Sequence, residues 1–175
     1  MVHSTRVPLF EPLFDALNHA DVRYVVVGGV AVVLHGFARL TGDVDLAIDL
    51  RPAEARKAVT TFGQLGLRPR LPVDPMQFAD PAVRTTWVCD RHMRVFTFFD
   101  PTNPMLVVDC FAEDMLPFDG LWTSSEVKNL ASTTVRVASI ADLIALKRQV
   151  GRPQDLQDIA ALQEIQQRGG GGRGA

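Results

Sequence analysis

The sequence predicts an α+β (mixed α/β) fold: a mixed sheet of about four or five strands, helices on one face, and a C-terminal helical segment packed on the core. Three observations predict it. Short apolar runs rich in Val and Phe recur at Val22 to Val27, Arg94 to Phe99 and Met105 to Phe111, each too short for a helix. Val44, Leu46 and Ile48 alternate with Asp43, Asp45, Ala47 and Asp49 in period two, the pattern of a strand with one polar face. Between and after these runs, apolar residues return at helical spacing.

Taken in order, Leu9, Leu13, Phe14 and Leu17 lie on one side of a first helix between Pro8 and Asp21. Val22 to Val27 follows as a central strand covered on both faces. Gly28 and Gly29 break it, and Val30 to Phe37 forms a short helix carrying Ala31, Leu34 and His35, so the glycines let a backbone approach something closely. The acid-bearing strand comes next, then a helix from Pro52 to about Leu65 that buries Ala55, Ala58, Val59 and Phe62 and stops at Gly66. Arg68 to Asp90 is proline-rich and reads as a loop-dominated insertion with a short helix near Gln77. The runs at 94–99 and 105–111 flank five turn-forming residues and predict a hairpin. Thr133 to Val137 is a fifth strand. Ser139 caps a helix from Ile140 to Val150 closed by Gly151, and Pro153 opens a last helix with Leu156, Ile159, Ala160 and Leu162 on one side. The expected division is 1–137 as core, 138–167 as C-terminal helical segment and 168–175 as a flexible glycine-rich tail.

Composition narrows the function classes. The chain has 175 residues, 47% hydrophobic and 22% charged, which suits a folded globular protein and not a disordered one. Its 18 Lys and Arg against 20 Asp and Glu leave a net charge of -2, so a polyanion has to be bound by a local patch. The longest apolar run ends at His35, well short of a membrane span, and the first nine residues lack the apolar segment of a secretory signal, so a cytoplasmic location is expected. Cys89 and Cys110 stand in no paired ligand spacing and read as reduced, buried, inert thiols.

The chemistry-bearing feature is Asp43-Val44-Asp45. Side chains at i and i+2 on a strand share a face, so the two carboxylates sit side by side and repel. Such a pair is a solvated surface feature, a hydrogen-bonded one, or a metal site; oxygen-only ligation favours Mg²⁺, or Mn²⁺, over zinc. The glycine pair at a helix start offers free N–H groups to an anion, or makes a simple tight turn. It matches neither G-x-G-x-x-G nor the P-loop.

Together, Val27-Gly28-Gly29, a short helix and Asp43-Val44-Asp45-Leu46 resemble the signature of the nucleotidyltransferase superfamily typified by DNA polymerase β. More narrowly, Gly28-Gly29-Val30-Ala31, His35-Gly36, Arg39, Thr41 and Asp43-Val44-Asp45 resemble the small bacterial branch that includes the AbiEii-like toxins of type IV toxin–antitoxin systems, a match covering Tyr24 to Leu50. A second stretch, Val137 to Leu162 with Lys147, Gly151-Arg152, Asp155 and Asp158, is similar to the C-terminal helices of that branch, while Arg68 to Asp90 matches nothing. The resemblance implies a nucleotidyltransferase-like sheet and a third carboxylate from a neighbouring strand, a place that Asp109 fits; the other reading of Asp109 is an outward-facing or arginine-paired acid, and Asp49 and Asp114 are weaker claimants.

The implied chemistry is transfer of a nucleoside monophosphate from a nucleotide triphosphate to a hydroxyl by two-metal in-line displacement. Asp43, Asp45 and Asp109 would be the catalytic metal ligands, and Gly28, Gly29, Arg39, Thr41 and Lys147 the nucleotide-binding residues. The acceptor is left open among a tRNA end, a protein hydroxyl and a small molecule such as an aminoglycoside; Arg68, Arg70, Arg84, Arg91 and Arg94 are the residues from which an RNA-binding cluster would be built. Each accessory residue also has a structural reading. Arg39 and Thr41 suit a solvated loop, His35 a packed ring bonded to a carbonyl, Lys147 a helix C-terminus, and Asp155 and Asp158 ion pairs that lock the last two helices. The competing functional class is a catalytically weak binding module acting as a nucleotide-binding or toxin–antitoxin partner chain, with a cognate antitoxin as its partner.

Overall fold

The structure, a computed structural model, describes residues 7–170; the expectations for the first six and last five residues lie outside them. Helix α1 (Val7–His19) leads into β1 (Tyr24–Val27), α2 (Gly28–Leu34), β2 (Val44–Ile48) and α3 (Pro52–Gln64). After β3 (Arg68–Pro69), a 3-10 turn (Pro75–Ala79) and α4 (Pro81–Arg91), the chain forms the hairpin β4 (Val95–Asp100) and β5 (Asn103–Phe111). It closes with α5 (Phe118–Ser124), β6 (Glu126–Asn129), β7 (Thr134–Val137), α6 (Ile140–Val150) and α7 (Pro153–Gly170). The strands form one mixed sheet in the order β3-β4-β5-β2-β1-β7-β6.

The five strands expected from the sequence are the five inner ones, and two further strands at the edges bring the sheet to seven. Neither edge strand has a readable pattern. β3 is two residues long, and β6 is polar and largely exposed. All four residues of β1 are buried, as a strand covered on both faces requires. On β2, Val44, Leu46 and Ile48 are buried and the alternate positions are partly open. α5, which the sequence did not suggest, joins α6 over the polar side of β2: Ala47, Phe111, Phe118, Leu121 and Leu146 line one small cavity there.

The insertion at 68–90 is not loop-dominated. Two Asp-Pro steps organise it: Asp74 accepts a hydrogen bond from the Met76 N–H at 2.9 Å, and Asp80 accepts one from the Ala82 N–H at 2.9 Å, with Pro75 and Pro81 at the first position of the turns they open. The proline content that argues against structure is helix-start chemistry here. α4 and the 3-10 turn then lay Trp87 and Phe78 on the hairpin, where Trp87 stacks on Phe96 at 4.8 Å between centroids and Phe78 meets Phe96 at 5.7 Å. Cys89, expected to be buried, is exposed on α4, whereas Cys110 is buried on β5.

α2 begins at Gly28 itself, so the glycines form its first turn instead of preceding it. Ser139 caps α6 by accepting from the Asp142 N–H at 3.2 Å, and Gly151 ends it in the left-handed conformation. α7 continues through Gly170, past the expected helix end at 167. Among the described residues no helix is long and apolar enough to cross a membrane. Phe96 is 1% exposed and touches the rings of Phe78, Trp87 and Phe98. Replacing it in F96A should cost about 3–5 kcal/mol of stability in urea denaturation, because the sheet cannot collapse onto the vacated volume.

Candidate active site

β2 and β5 run parallel in a register that sets Asp45 directly beside Asp109, with Val44 beside Val108 and Leu46 beside Cys110. Asp43 stands one residue before β2 and shares the face of Asp45. On the other side, antiparallel pairing puts Val27 opposite Asp45, so Gly28 and Gly29 turn away from the sheet just at the acids. Strand register thus brings Asp43, Asp45, Asp109 and the glycine pair to one place.

The three carboxylates interact strongly. Burial, then repulsion from Asp43 and Asp109, pushes the Asp45 carboxyl up to about 7, against the opposing pull of Lys147 and a hydrogen bond donated by the Gly29 N–H. Burial likewise raises Asp109, helped by the charge of Asp43 and by a side-chain hydrogen bond with it, and opposed by Thr97 and Arg70. Thr97 lies opposite Asp109 across the β4–β5 pair and donates its hydroxyl to Asp109 Oδ1 at 2.6 Å. The donor set is all carboxylate oxygen, which suits a hard divalent cation. Among the described residues, however, no three His, Cys, Asp or Glu side chains form a group converged enough to hold a metal ion by themselves. The aspartates are drawn up side by side, and not closed around one point.

Both glycines are required by what approaches them. Gly28 has φ +66°, and a Cβ there would lie 2.9 Å from the Asp45 Cβ and closer still to its carboxylate. A Cβ on Gly29 would lie 2.7 Å from Thr41 Oγ1 and 3.2 Å from an Arg39 guanidinium nitrogen. One expected anion donor, the Gly29 N–H, is engaged by Asp45. Thr41 is buried and donates its hydroxyl to the Asp43 carbonyl at 3.1 Å, which ties the loop to the start of β2.

Arg39 and Lys147 do not stand free beside the acids. Arg39 is ion-paired to Asp158, and the buried Lys147 Nζ lies 2.7 Å from Asp158 Oδ2 and 3.5 Å from Asp155 Oδ1. Asp155 in turn accepts from the Arg152 backbone N–H and from its Nε, each at 3.0 Å. Asp155 and Asp158 therefore do lock α6 to α7, and Asp158 adds the β2-flanking loop to the same knot. His35 Nε2 lies 2.8 Å from the Ala138 carbonyl, the packed geometry of the structural reading.

The other acids lie elsewhere in roles of their own. Asp49 is 3% exposed and held by Arg23 at 2.7 Å and by Arg51; burial opposes its charge, but the Arg51 hydrogen bonds and the two guanidinium charges keep its carboxyl below the ordinary range. Asp114 lines a separate groove with Asp49, Arg51 and Arg84. Thr97 was missed by sequence reading; a threonine in a strand is ordinary, and only the register with Asp109 gives it meaning. An apolar slot beside Gly28 and Asp45, lined by Phe111, Met115 and Leu143 among others, was likewise invisible, because its walls come from three distant segments.

No protein-family model matches the chain, and no curated protein matches its sequence. Solved structures do. The fold is similar to that of the lincosamide antibiotic adenylyltransferase LnuA in its lincomycin-bound crystal structure, with TM-score 0.58 and 16% identity over 90% of this chain and 95% of that one. It is also similar to ANT(2")-Ia crystallised with adenylyl-2"-tobramycin, with TM-score 0.56 and 16% identity over 93% of each chain. The fold is nucleotidyltransferase-like.

The raised Asp45 carboxyl has a stability consequence with a definite sign. The unfolded chain loses this proton near the ordinary 3.8 and the folded chain only near 7, so ionisation destabilises the fold progressively as pH rises between the two. In the presence of a chelator, D45N should therefore be more stable than the parent at pH 8, by about 1–3 kcal/mol, with the advantage vanishing below pH 4. Equal denaturation midpoints at pH 8 would contradict this account.

Proposed function

We propose that the protein is a metal-dependent nucleotidyltransferase that moves a nucleoside monophosphate from a nucleotide triphosphate to a hydroxyl on a small-molecule acceptor. The observation that carries the reading is the β2–β5 register, which sets Asp109 beside Asp45 on a sheet whose fold is shared with two antibiotic adenylyltransferases. Hydrophobic folding alone gives no reason to line up three acids on one sheet face, and catalysis of phosphoryl transfer does.

In this reading Asp43, Asp45 and Asp109 would hold Mg²⁺ or Mn²⁺ once drawn together from their side-by-side placement, and the cation would supply charge neutralisation for the phosphoryl group being transferred. Asp109, oriented by the Thr97 hydroxyl, receives the proton of the attacking acceptor hydroxyl. Gly28 and Gly29 let Asp45, Thr41 and Arg39 pack against the start of α2, which sets the acids directly beside the helix start that the triphosphate would approach. Lys147 and Arg39, held in place by Asp158, contribute positive potential at the edge of the site without moving. Pyrophosphate leaves on the side opposite the attacking hydroxyl.

Two findings support a small acceptor over a tRNA end. Both neighbours carry small-molecule antibiotics or their adenylylated product in their crystals. Of the five arginines from which an RNA-binding cluster would be built, Arg84 is 6% exposed and donates to the Phe78 and Leu50 carbonyls, and Arg94 is paired with Glu113. That leaves Arg68, Arg70 and Arg91, too few in a chain of net charge -2 to hold an RNA through its phosphates.

Incubation with the four nucleotide triphosphates, Mg²⁺ and a panel of hydroxyl-bearing antibiotics and metabolites should release pyrophosphate in an acceptor-dependent manner. D45N and D109N should each lower that rate by at least about 100-fold, and chelation should abolish it. Undiminished release by D45N, or labelling of RNA in preference to every small molecule, would refute the proposed reaction or its acceptor class respectively.

A further inference from the structure

A single row of side chains crosses the sheet through the acids. β3 and β4 pair antiparallel with Pro69 opposite Phe98, and the Arg70 N–H donates to the Thr97 carbonyl at 2.9 Å, so the pairing runs on past β3 and sets Arg70 opposite Thr97. Thr97 stands opposite Asp109, and Asp109 beside Asp45. Residues paired across neighbouring strands project from one face, so Arg70, Thr97, Asp109 and Asp45 form a line with the arginine at its end. The 2.6 Å hydrogen bond from the Thr97 hydroxyl to Asp109 Oδ1 shows that shared face directly.

Arg70 differs from the cations on the other side of the acids. Arg39, Lys147 and Arg152 are each ion-paired to Asp155 or Asp158, whereas the exposed Arg70 side chain makes no hydrogen bond and no ion pair among the described residues. Its charge still reaches Asp109, whose carboxyl it pulls down against burial. The sheet pins its backbone and leaves its guanidinium uncommitted.

We propose that Arg70 binds an anionic group of the acceptor, so that the acceptor is a small hydroxyl compound that also carries a carboxylate or phosphate; the inference rests on the nucleotidyltransferase reading above. Position separates this role from one toward the nucleotide. Gly28 and Gly29 leave β1, four strand spacings or about 19 Å from β3, and a triphosphate held at the glycines has the acids between it and Arg70. The acceptor, whose hydroxyl gives its proton to Asp109, comes in on the Arg70 side. Arg70 stands two strand spacings, or about 10 Å, from Asp109, which bounds the distance between the reacting hydroxyl and the acidic group. Between them in the row is only the short side chain of Thr97. A guanidinium offers a planar fork of donors that fits two oxygens of a carboxylate or phosphate, and it does so best when no protein carboxylate already occupies it. A neutral acceptor gains nothing from that charge, and a cationic one is repelled by it.

Transfer from nucleotide triphosphates labelled at the α-phosphate, with Mg²⁺ and acceptors in matched pairs, tests this. The pairs are hydroxy acids with their amides and sugar phosphates with the free sugars; aminoglycosides and RNA are added as the cationic and polymeric members. The parent should favour the acidic member of a pair by about 10-fold or more in kcat/KM. R70Q should raise the KM of that acceptor by a similar factor, erase the preference within the pair, and leave kcat and the nucleotide KM within about twofold of the parent's. R70K, which keeps the charge and loses the fork, should fall between the two. Because the Arg70 side chain is exposed and bonded to nothing, both variants should fold like the parent. Preference for a neutral, cationic or RNA acceptor, or an R70Q variant with the parent's acceptor KM and selectivity, overturns the acidic acceptor and leaves nucleotidyl transfer itself standing. Transfer to no member of the panel overturns both.

Discussion

Three like charges fixed by strand register set the terms for everything around them. The β2–β5 pairing that places Asp45 beside Asp109 also places Val44 and Leu46 among fully buried neighbours. The carboxylates cannot be separated by slipping the strands, because a shift of one residue would carry the apolar set of β2 to the wrong face. The repulsion is thus held in place by the core. Burial, and after it this repulsion, raises the carboxyls of Asp45 and Asp109, and two glycines let Asp45, Thr41 and Arg39 come as close as they do.

The C-terminal helices answer this with a second, oppositely built cluster. Asp158 is fully buried and gathers Arg39 from the loop before β2, Lys147 from α6 and the Gln154 amide from its own helix. A buried ion-pair network of this kind is a poor way to gain stability, since desolvating its members offsets most of their attraction. Its value is geometric: it fixes two long cationic side chains, which would otherwise sample many rotamers, beside Asp45 and Gly29. Lys147 is near enough to lower the Asp45 carboxyl, so the two clusters are electrostatically one site.

How much of this was legible in the sequence depended on whether a signal was local. The five inner strands were readable because each is an apolar run or a clean alternation, and the glycine pair and D-x-D stood out as patterns of fixed spacing. β6 was not, because an exposed edge strand such as Glu126–Asn129 has no buried face to imprint on its sequence. α4 was hidden by its prolines, although Asp80-Pro81 was a usable start signal in hindsight. At the site, Asp109 was legible as an acid in an apolar run, but the hydroxyl that orients it and the slot beside Asp45 exist only through pairing and packing between segments far apart in the chain. Arg39 was read as a phosphate contact or a solvated side chain, and its ion pair with Asp158 left no local trace, because that partner lies 119 residues away.

That pairing bears on how a triphosphate would be neutralised. Arg39, Lys147 and Arg152 are each ion-paired to Asp155 or Asp158, which are 2% and 0% exposed, so these two carboxylates offset all but one of the three positive charges in a poorly screened environment. With Asp43, Asp45 and Asp109 added, acids outnumber bases within the site. A highly charged anion entering such a place gains from these side chains only the single positive charge that the pairs leave over. The neutralising charge has to come from a species that binds the surplus carboxylates, and hard divalent cations are the ligands that three aspartate oxygens on one sheet face select. The locked cations then orient, and the aspartates govern whether the anion is held at all.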